Sequence, residues 1–307
     1  MSSAWEDADM EGALKIPPRN LGVRSFPGGI KIMTNTKLLL EDTGGDVWKG
    51  AIALGRFMLA EFSEVLAESR VLELAAGTGY LGLTLSVKGA ARVVMSDKEC
   101  MISLLHGNIL LNSDSLELDA RPIEAITLDW NHGEEAIALM KDESFDFIIM
   151  SDVFYEEEIV EPLIRTLRTL CCLHARRRKP LKNMSEEELP QIYISASHRS
   201  ERIEGLFMQG IKPWFSCEEI RSKNHKLNEV FRKEMIVIFK LAPARMTFDE
   251  FAAGLGLSSM RSNQGRERKN VSDCRKDNRD PLDTLQEKRI VTGSCHFAVG
   301  YDLELLD

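Results

Sequence analysis

Apolar positions along the chain alternate between two periods. Val71 to Leu74, Arg92-Val-Val-Met-Ser-Asp97, Pro122 to Asp129, Phe145 to Asp152 and Gln191 to Ala196 are short apolar runs that predict five buried strands. Between them, three- and four-residue steps predict helices. These are Trp48 to Phe62 (with Ile52, Phe57 and Leu59), a helix opened by Leu81, Leu83 and Leu85, and Met101 to Leu111. Further helices are predicted at Glu134 to Lys141, around Ile159, Leu163, Ile164, Leu167 and Leu170, and at Arg202 to Met208. Ile211 to Ser216 predicts a sixth strand and Glu234 to Leu241 a seventh. Strands alternating with helices imply an α/β fold with a doubly wound, seven-stranded parallel sheet.

The flanks read differently. Residues 1–24 have little periodicity and contain Pro17-Pro18, which predicts a flexible arm. Phe26 to Met33 and Lys37 to Leu40, followed by Gly44-Gly45, predict short strands forming a lid-like hairpin. Arg176-Arg-Arg-Lys-Pro and Ser185-Glu-Glu-Glu predict a solvated, charged loop. Between Arg261 and Arg289 the only apolar residues are Val271, Cys274, Leu282 and Leu285, too few to bury an ordered core. The expected organisation is an arm over 1–24, a catalytic-size domain over 25–241 and a mostly disordered tail over 242–307.

Composition narrows the class. The 307 residues are 44% hydrophobic, enough for a sizeable core, and carry a net charge of −9. That charge disfavours a nucleic-acid partner and favours a basic protein or peptide. No apolar run is long enough to span a bilayer, and Met1 to Met10 lacks the basic start and apolar stretch of a signal peptide. Cys100, Cys171, Cys172, Cys217, Cys274 and Cys295 form no C-x-x-C pair. They predict reduced thiols in a cytoplasmic or nuclear protein and no metal site, and the chain is expected to be a monomer.

The candidate chemistry lies at the strand ends, where ligands of doubly wound sheets sit. The first strand runs into Ala75-Ala-Gly-Thr-Gly79, a turn that opens a helix and brings backbone N–H groups close to a ligand. The next three strands end in Asp97, Asp129 and Asp152. Gly77-Thr-Gly79-Tyr-Leu-Gly82 matches the dinucleotide fingerprint, so an NAD(P)-linked oxidoreductase is one reading. Against it, Glu73 occupies a strand position where that fingerprint expects an apolar residue. An acid there suits a cofactor bearing an ammonium and a sulfonium, which points to S-adenosylmethionine. Asp97 then accepts from the ribose hydroxyls, and Trp130 beside Asp129 offers an indole face to adenine. Trp48 either closes the cofactor cleft or is a core tryptophan. His132 and His198 lie near strand ends, as proton acceptors or as surface polar residues.

Glu73-Leu-Ala-Ala-Gly-Thr-Gly79, Leu128-Asp-Trp130 and Ser151-Asp-Val-Phe-Tyr155, preceded by Asp46-Val-Trp48, resemble the seven-β-strand protein lysine methyltransferases of methyltransferase family 16. The resemblance covers about residues 25–241. It implies a Rossmann-like methyltransferase sheet and cofactor contacts at Trp48, Ala75, Ala76, Gly77, Asp97, Trp130 and Ser151. It also implies a target lysine met near Asp152 and Tyr155. Substrates in that family are chaperones, translation factors and similar abundant proteins. Two positions depart from the pattern. Ala75 replaces a usual glycine, which requires a negative φ there. Ser197-His-Arg199 stands where an acid often precedes the arginine. D-x-x-Y shares its spacing with the N/D-P-P-Y of amino-directed nucleic-acid and glutamine methyltransferases, but Val153-Phe154 replaces the stiff prolines. The foreign tail and Ala75 leave a non-catalytic, cofactor-binding scaffold as a further reading.

Overall fold

The computed structural model describes residues 22–35, 43–116, 122–133, 137, 143–178, 189–197 and 200–255. They belong to one unit, Met1–Ser259; the second, Met260–Asp307, lies outside the described residues. So do the arm up to residue 21, the Lys37 to Leu40 segment, most of Glu134 to Lys141, and His198 and Arg199.

Seven strands form one sheet: β3 (Arg70–Leu74), β4 (Arg92–Asp97), β5 (Ile123–Thr127), β6 (Phe147–Ser151), β7 (Gln191–Ser197), β8 (Phe215–Ile220) and β9 (Ile236–Pro243). Their order is β5-β4-β3-β6-β7-β9-β8. The five strands β3 to β7 pair in parallel, whereas β9 runs antiparallel to both β7 and β8. The expected all-parallel sheet is therefore corrected at one edge. There β9 alone reverses direction, returning through a short helix from β8 to lie between β7 and β8. The sixth strand also begins later than predicted, because Ile211 ends a helix and its side chain is buried.

Alternate strand residues feed opposite faces, as a period of two requires. Val71, Met95, Ile149, Tyr193 and Ile238 face helices α1 (Lys49–Leu66), α2 (Tyr80–Val87) and α6 (His225–Lys233). Leu72, Leu74, Val94, Ile148, Met150, Ile192 and Leu241 face α4 (Val160–Arg178) and α5 (Glu201–Ile211). Helix α3 (Glu99–Leu111) packs beside β4 and β5. Cys171 and Cys172 are both buried in the second core, since neighbouring residues on a helix are only about 100° apart.

Two boundaries move. The hairpin pairs β1 (Gly22–Ser25) with β2 (Lys31–Thr34), so the last residues assigned to the arm are strand. At the other end the fold continues past Leu241. Helix α7 (Phe248–Phe251) buries Phe251 completely, and a Thr247–Glu250 capping box fixes its start. Helix α4 also runs through Arg178, into the stretch predicted to be a charged loop.

Candidate active site

The strand order reverses between β3 and β6, and the crevice at that switch point opens above their carboxyl ends. It is a cleft open to solvent on one side, with about 570 Å³ of space counting the open solvent at its mouth. Trp48, Ala75, Ala76, Gly77, Asp97, Ser151, Asp152 and Tyr155 line it together. A second, smaller hollow continues past Ala75, Asp97 and Tyr155 to Leu128, Asp129 and Trp130. The acids of residues 97 and 152 therefore open onto one crevice. Of the residues selected from sequence, Glu73 and Gly79 are not on its surface.

The turn after β3 is held from behind. Ala76 N–H donates to the Ser96 carbonyl at 3.0 Å, continuing the β3–β4 ladder by one residue. Ala75 adopts φ 50°, so the expected negative φ is wrong. The chain must turn left-handed here, and an L-residue bears a cost of about 1–2 kcal/mol for doing so. Gly77 (φ 56°) is needed for space as well, since a Cβ there would meet the Gly44 carbonyl oxygen at 3.0 Å. Gly79 backs onto the core, where a Cβ would come within 2.8 Å of Leu105 and Met95. A Cβ on Gly82 would lie 2.5 Å from Glu73 Oε2.

That last contact locates Glu73. Its carboxyl is 2% exposed, behind the turn, and accepts the Gly82 N–H at 2.8 Å. Burial pushes its pKa up to about 8; the Gly82 amide opposes the shift and the charge of Asp97 adds to it. An amide at the start of α2 is thus already bonded to a protein carboxyl, where a dinucleotide pyrophosphate would need free donors.

Asp97 is preorganised. Its Oδ2 accepts Gly77 N–H and its Oδ1 accepts Lys98 N–H, both at 2.7 Å. Each carboxylate oxygen has a second lone pair, so the side chain suits a vicinal diol. Leu128 N–H donates to the Asp97 carbonyl at 2.8 Å and brings Asp129 and Trp130 alongside. Burial pushes the Asp129 carboxyl up, but bonds from Asn131 and the nearby His132 outweigh it and hold the group below the usual carboxylate range. His132 is exposed and serves Asp129 at 3.2 Å. Trp48 is the N-cap residue of α1, and its Nε1–H donates to the Thr43 carbonyl at 2.9 Å, which fixes the ring against the cleft.

Asp152 has the most constrained geometry. Its backbone is left-handed, at φ 53°, and its N–H donates to the Ser195 carbonyl at 2.9 Å. Its Oδ2 accepts Gly50 N–H at 3.0 Å and its Oδ1 accepts Ser197 N–H at 2.8 Å. Ser195 Oγ–H donates to the Gly50 carbonyl at 2.9 Å. Gly50, Asp152 and Ser195 thus form a closed ring of bonds at the start of α1, where a carboxylate is favoured by the helix dipole. Sequence reading missed Gly50 and Ser195. Ser195 was hidden inside a strand, and Gly50 resembles an ordinary helix residue.

A diol-ready acid, an indole, a turn whose three glycine amides are already bonded within the protein and an acidic rim at the switch point fit an adenosyl sulfonium. The site and fold define an S-adenosylmethionine-dependent methyltransferase of Rossmann-like architecture. A profile described as "Lysine methyltransferase" matches residues 30–212, and the chain belongs to that family. It is 32% identical over 187 residues to the protein N-lysine methyltransferase METTL21A of Danio rerio, covering 61% of this chain and 75% of that one. It is 31% identical to the protein-lysine N-methyltransferase EFM3 of Chaetomium thermophilum over 43% of this chain and 40% of that one. With the EEF1A lysine methyltransferase 3 of Xenopus tropicalis it shares 26% identity, over 59% of this chain and 71% of that one. The chain therefore spans about three quarters of two of these relatives and well under half of the other. The oxidoreductase and scaffold readings find no support. No helix among the described residues is long and apolar enough to cross a membrane, and no metal-binding cluster occurs among them.

Proposed function

We propose that this chain methylates a lysine side chain of a protein substrate, with the acceptor entering beside Asp152 and Tyr155. The observation that carries the reading is that Asp97 and the Asp152–Tyr155 pair line a single cleft. The cofactor end and the acceptor end are thus within one ligand's length. When bound, S-adenosylmethionine supplies a methyl group activated by its positively charged sulfur.

The chain's own residues do the rest. A lysine Nζ must lose a proton before it has a lone pair to attack with. Desolvation in the cleft favours that neutral form, and the neighbouring Asp152 carboxylate opposes it. Transfer to that nitrogen would leave it positively charged, and a fixed carboxylate nearby would stabilise the charge. Asp152 is suited to be that anion because two backbone amides hold it still. It acts as a held charge, and Tyr155 contributes a hydroxyl and an aromatic wall. Trp48, Ala75, Ala76, Gly77, Asp97, Asp129, Trp130 and Ser151 are assigned to the cofactor. Glu73 and Gly79 are assigned to supporting the turn from behind.

The substrate is expected to be a translation factor or chaperone-like protein in the cytoplasm or nucleus. The names of the relatives, which include an EEF1A methyltransferase, support this class. Incubating the full chain with labelled cofactor and a fractionated lysate, then mapping sites by mass spectrometry, identifies the acceptor. Tyr155→Phe and Asp152→Asn are each expected to lower turnover about 100-fold or more, with S-adenosylhomocysteine affinity kept within a few fold. Turnover surviving both changes overturns the assigned acceptor end. Label on arginine or histidine alone overturns the lysine assignment.

A further inference from the structure

The N-terminal hairpin is attached to the methyltransferase core by an arrangement that reaches into the cofactor turn. One edge of β2 pairs with β1; the other edge is closed by the side chains of Asn108, in α3, and Asn112, the residue that caps its C-terminus. Asn112 Oδ1 accepts Lys31 N–H at 2.8 Å and its Nδ2–H donates to the Lys31 carbonyl at 2.7 Å. Asn108 repeats this at Met33, accepting its N–H at 2.7 Å and donating to its carbonyl at 3.1 Å. The match is geometric. Four residues along a helix advance about 6 Å and two residues along a strand about 6.6 Å, so two asparagines one turn apart imitate a neighbouring strand.

The two asparagines differ in where their further Nδ2 bond goes: Asn112 donates to the Asn108 carbonyl at 2.7 Å, one turn back on its own helix. Asn108, which is fully buried, also donates through Nδ2 to the Thr78 carbonyl at 2.8 Å. Thr78 lies between the two glycines of the cofactor turn and lines the cleft. The hairpin meets the same turn by a second route. Asn35 N–H, just past β2, donates to the Gly45 carbonyl at 2.9 Å, and Gly44 packs over Gly77. Phe26 in the hairpin also packs at a tilt against Tyr80, the first residue of α2, with ring centroids 4.8 Å apart and 52° between the ring planes.

We propose that Asn108 is a positioning residue for the cofactor. Through one side-chain amide it ties the hairpin and the Thr78 carbonyl together, and so sets the gap between the turn and the 43–48 wall of the cleft. It touches neither cofactor nor substrate. It acts through Thr78 and Met33, so the hairpin is part of the cofactor site and not an appended lid. The proposal rests on the cofactor reading of the cleft, and binding of S-adenosylhomocysteine tests the two separately because it needs no protein substrate.

Asn112 supplies the internal control, since it holds the same strand without touching the turn. Calorimetric titration of the full chain with S-adenosylhomocysteine is carried out for the natural sequence, Asn108→Asp, Asn108→Ser and Asn112→Ala. The aspartate keeps an acceptor for Met33 N–H but cannot donate to either carbonyl when ionised. The Asn108 variants are expected to weaken binding at least about fivefold beyond Asn112→Ala, the scale of a site-to-site coupling. Equal weakening in all three variants, or none, overturns the proposal while leaving the cofactor reading intact. Failure of the natural chain to bind overturns both. Should the Asn108 variants not fold, amide exchange on the natural chain decides. Ligand is expected to slow exchange of the Met33 amide by about fivefold or more, and an unchanged Met33 rate overturns the coupling.

Discussion

At the scale of single residues, the constrained position is Gly50. Intrinsic propensity says that alanine in the first turn of a helix should stabilise by up to about 1 kcal/mol over glycine. The structure says the opposite, because a Cβ on Gly50 would lie 2.3 Å from Asp152 Oδ2 and 2.7 Å from its carboxyl carbon. The carboxylate would have to leave the Gly50 amide, and its left-handed backbone leaves little room to adjust. Gly50→Ala is therefore expected to lower stability by about 1–3 kcal/mol, the cost of an unmade buried bond. Methylation should fall with it as the held charge at residue 152 shifts. Urea unfolding beside a turnover assay checks this, and a stabilised, fully active Gly50→Ala would show that the ring of bonds is not what fixes Asp152. Sequence reading found Asp152 by its place at a strand end. It could not find that the carboxylate is bonded to α1, 102 positions away, because that depends on how two elements cross. Ala75 is the same lesson in reverse. A departure from the family pattern was visible, but the sign of its φ was not.

Elements were legible in proportion to how strongly their side chains alternate. The strands β3, β4, β6 and β7, buried on both faces, read as nearly continuous apolar runs. Edge strand β8 and helix α6 were misplaced or missed, because their faces are largely exposed and their patterns diluted by charge. Leu227 and Phe231 four residues apart, behind the capping Asn224, were the available signal for α6. Helix α7 was folded into a tail because four residues carry no periodicity. Its anchor lies elsewhere in the chain, at Arg168. That guanidinium is 6% exposed, donates to the Phe251 and Ala253 carbonyls, and lies 3.3 Å from the centre of the Trp214 ring. Burial lowers its pKa, and the stacked ring and carbonyls are what hold it there. Arg168→Ala leaves both carbonyls without that donor and removes the stack, so about 2–4 kcal/mol of stability should be lost. Limited proteolysis should then cut first between residues 244 and 255. Equal resistance of the variant there would mean that apolar packing of Phe251 alone secures the segment.

At the scale of the molecule, the sheet gathers acids at one rim, and their order along the chain does not tell which of them face the cleft and which lie behind it. Asp97 and Asp152 sit at the cleft with amide donors on both oxygens. Glu73, expected to face the cofactor as a counter-charge, is instead behind the turn with its pKa raised to about 8. It is neutral below that pH in the folded chain, whereas the unfolded chain ionises it near 4.5. Between these values the folded state binds one proton more than the unfolded state. The stabilisation is fully present below pH 4.5 and is lost as pH rises through about 8, at no more than roughly 1.4 kcal/mol per pH unit. Glu73→Gln keeps an acceptor for the Gly82 amide but does not titrate, so it removes this slope. Its extra N–H donors cost stability at low pH, where the natural glutamic acid is at its best. Denaturant unfolding of both chains at pH 5, 6.5 and 8 should therefore show the advantage of the natural chain shrinking steadily with pH. A difference between the two that stays constant across that range would mean Glu73 titrates alike in the folded and unfolded states. The glycine turn would then rest on a charged carboxylate, and the neutral support inferred for it would be wrong.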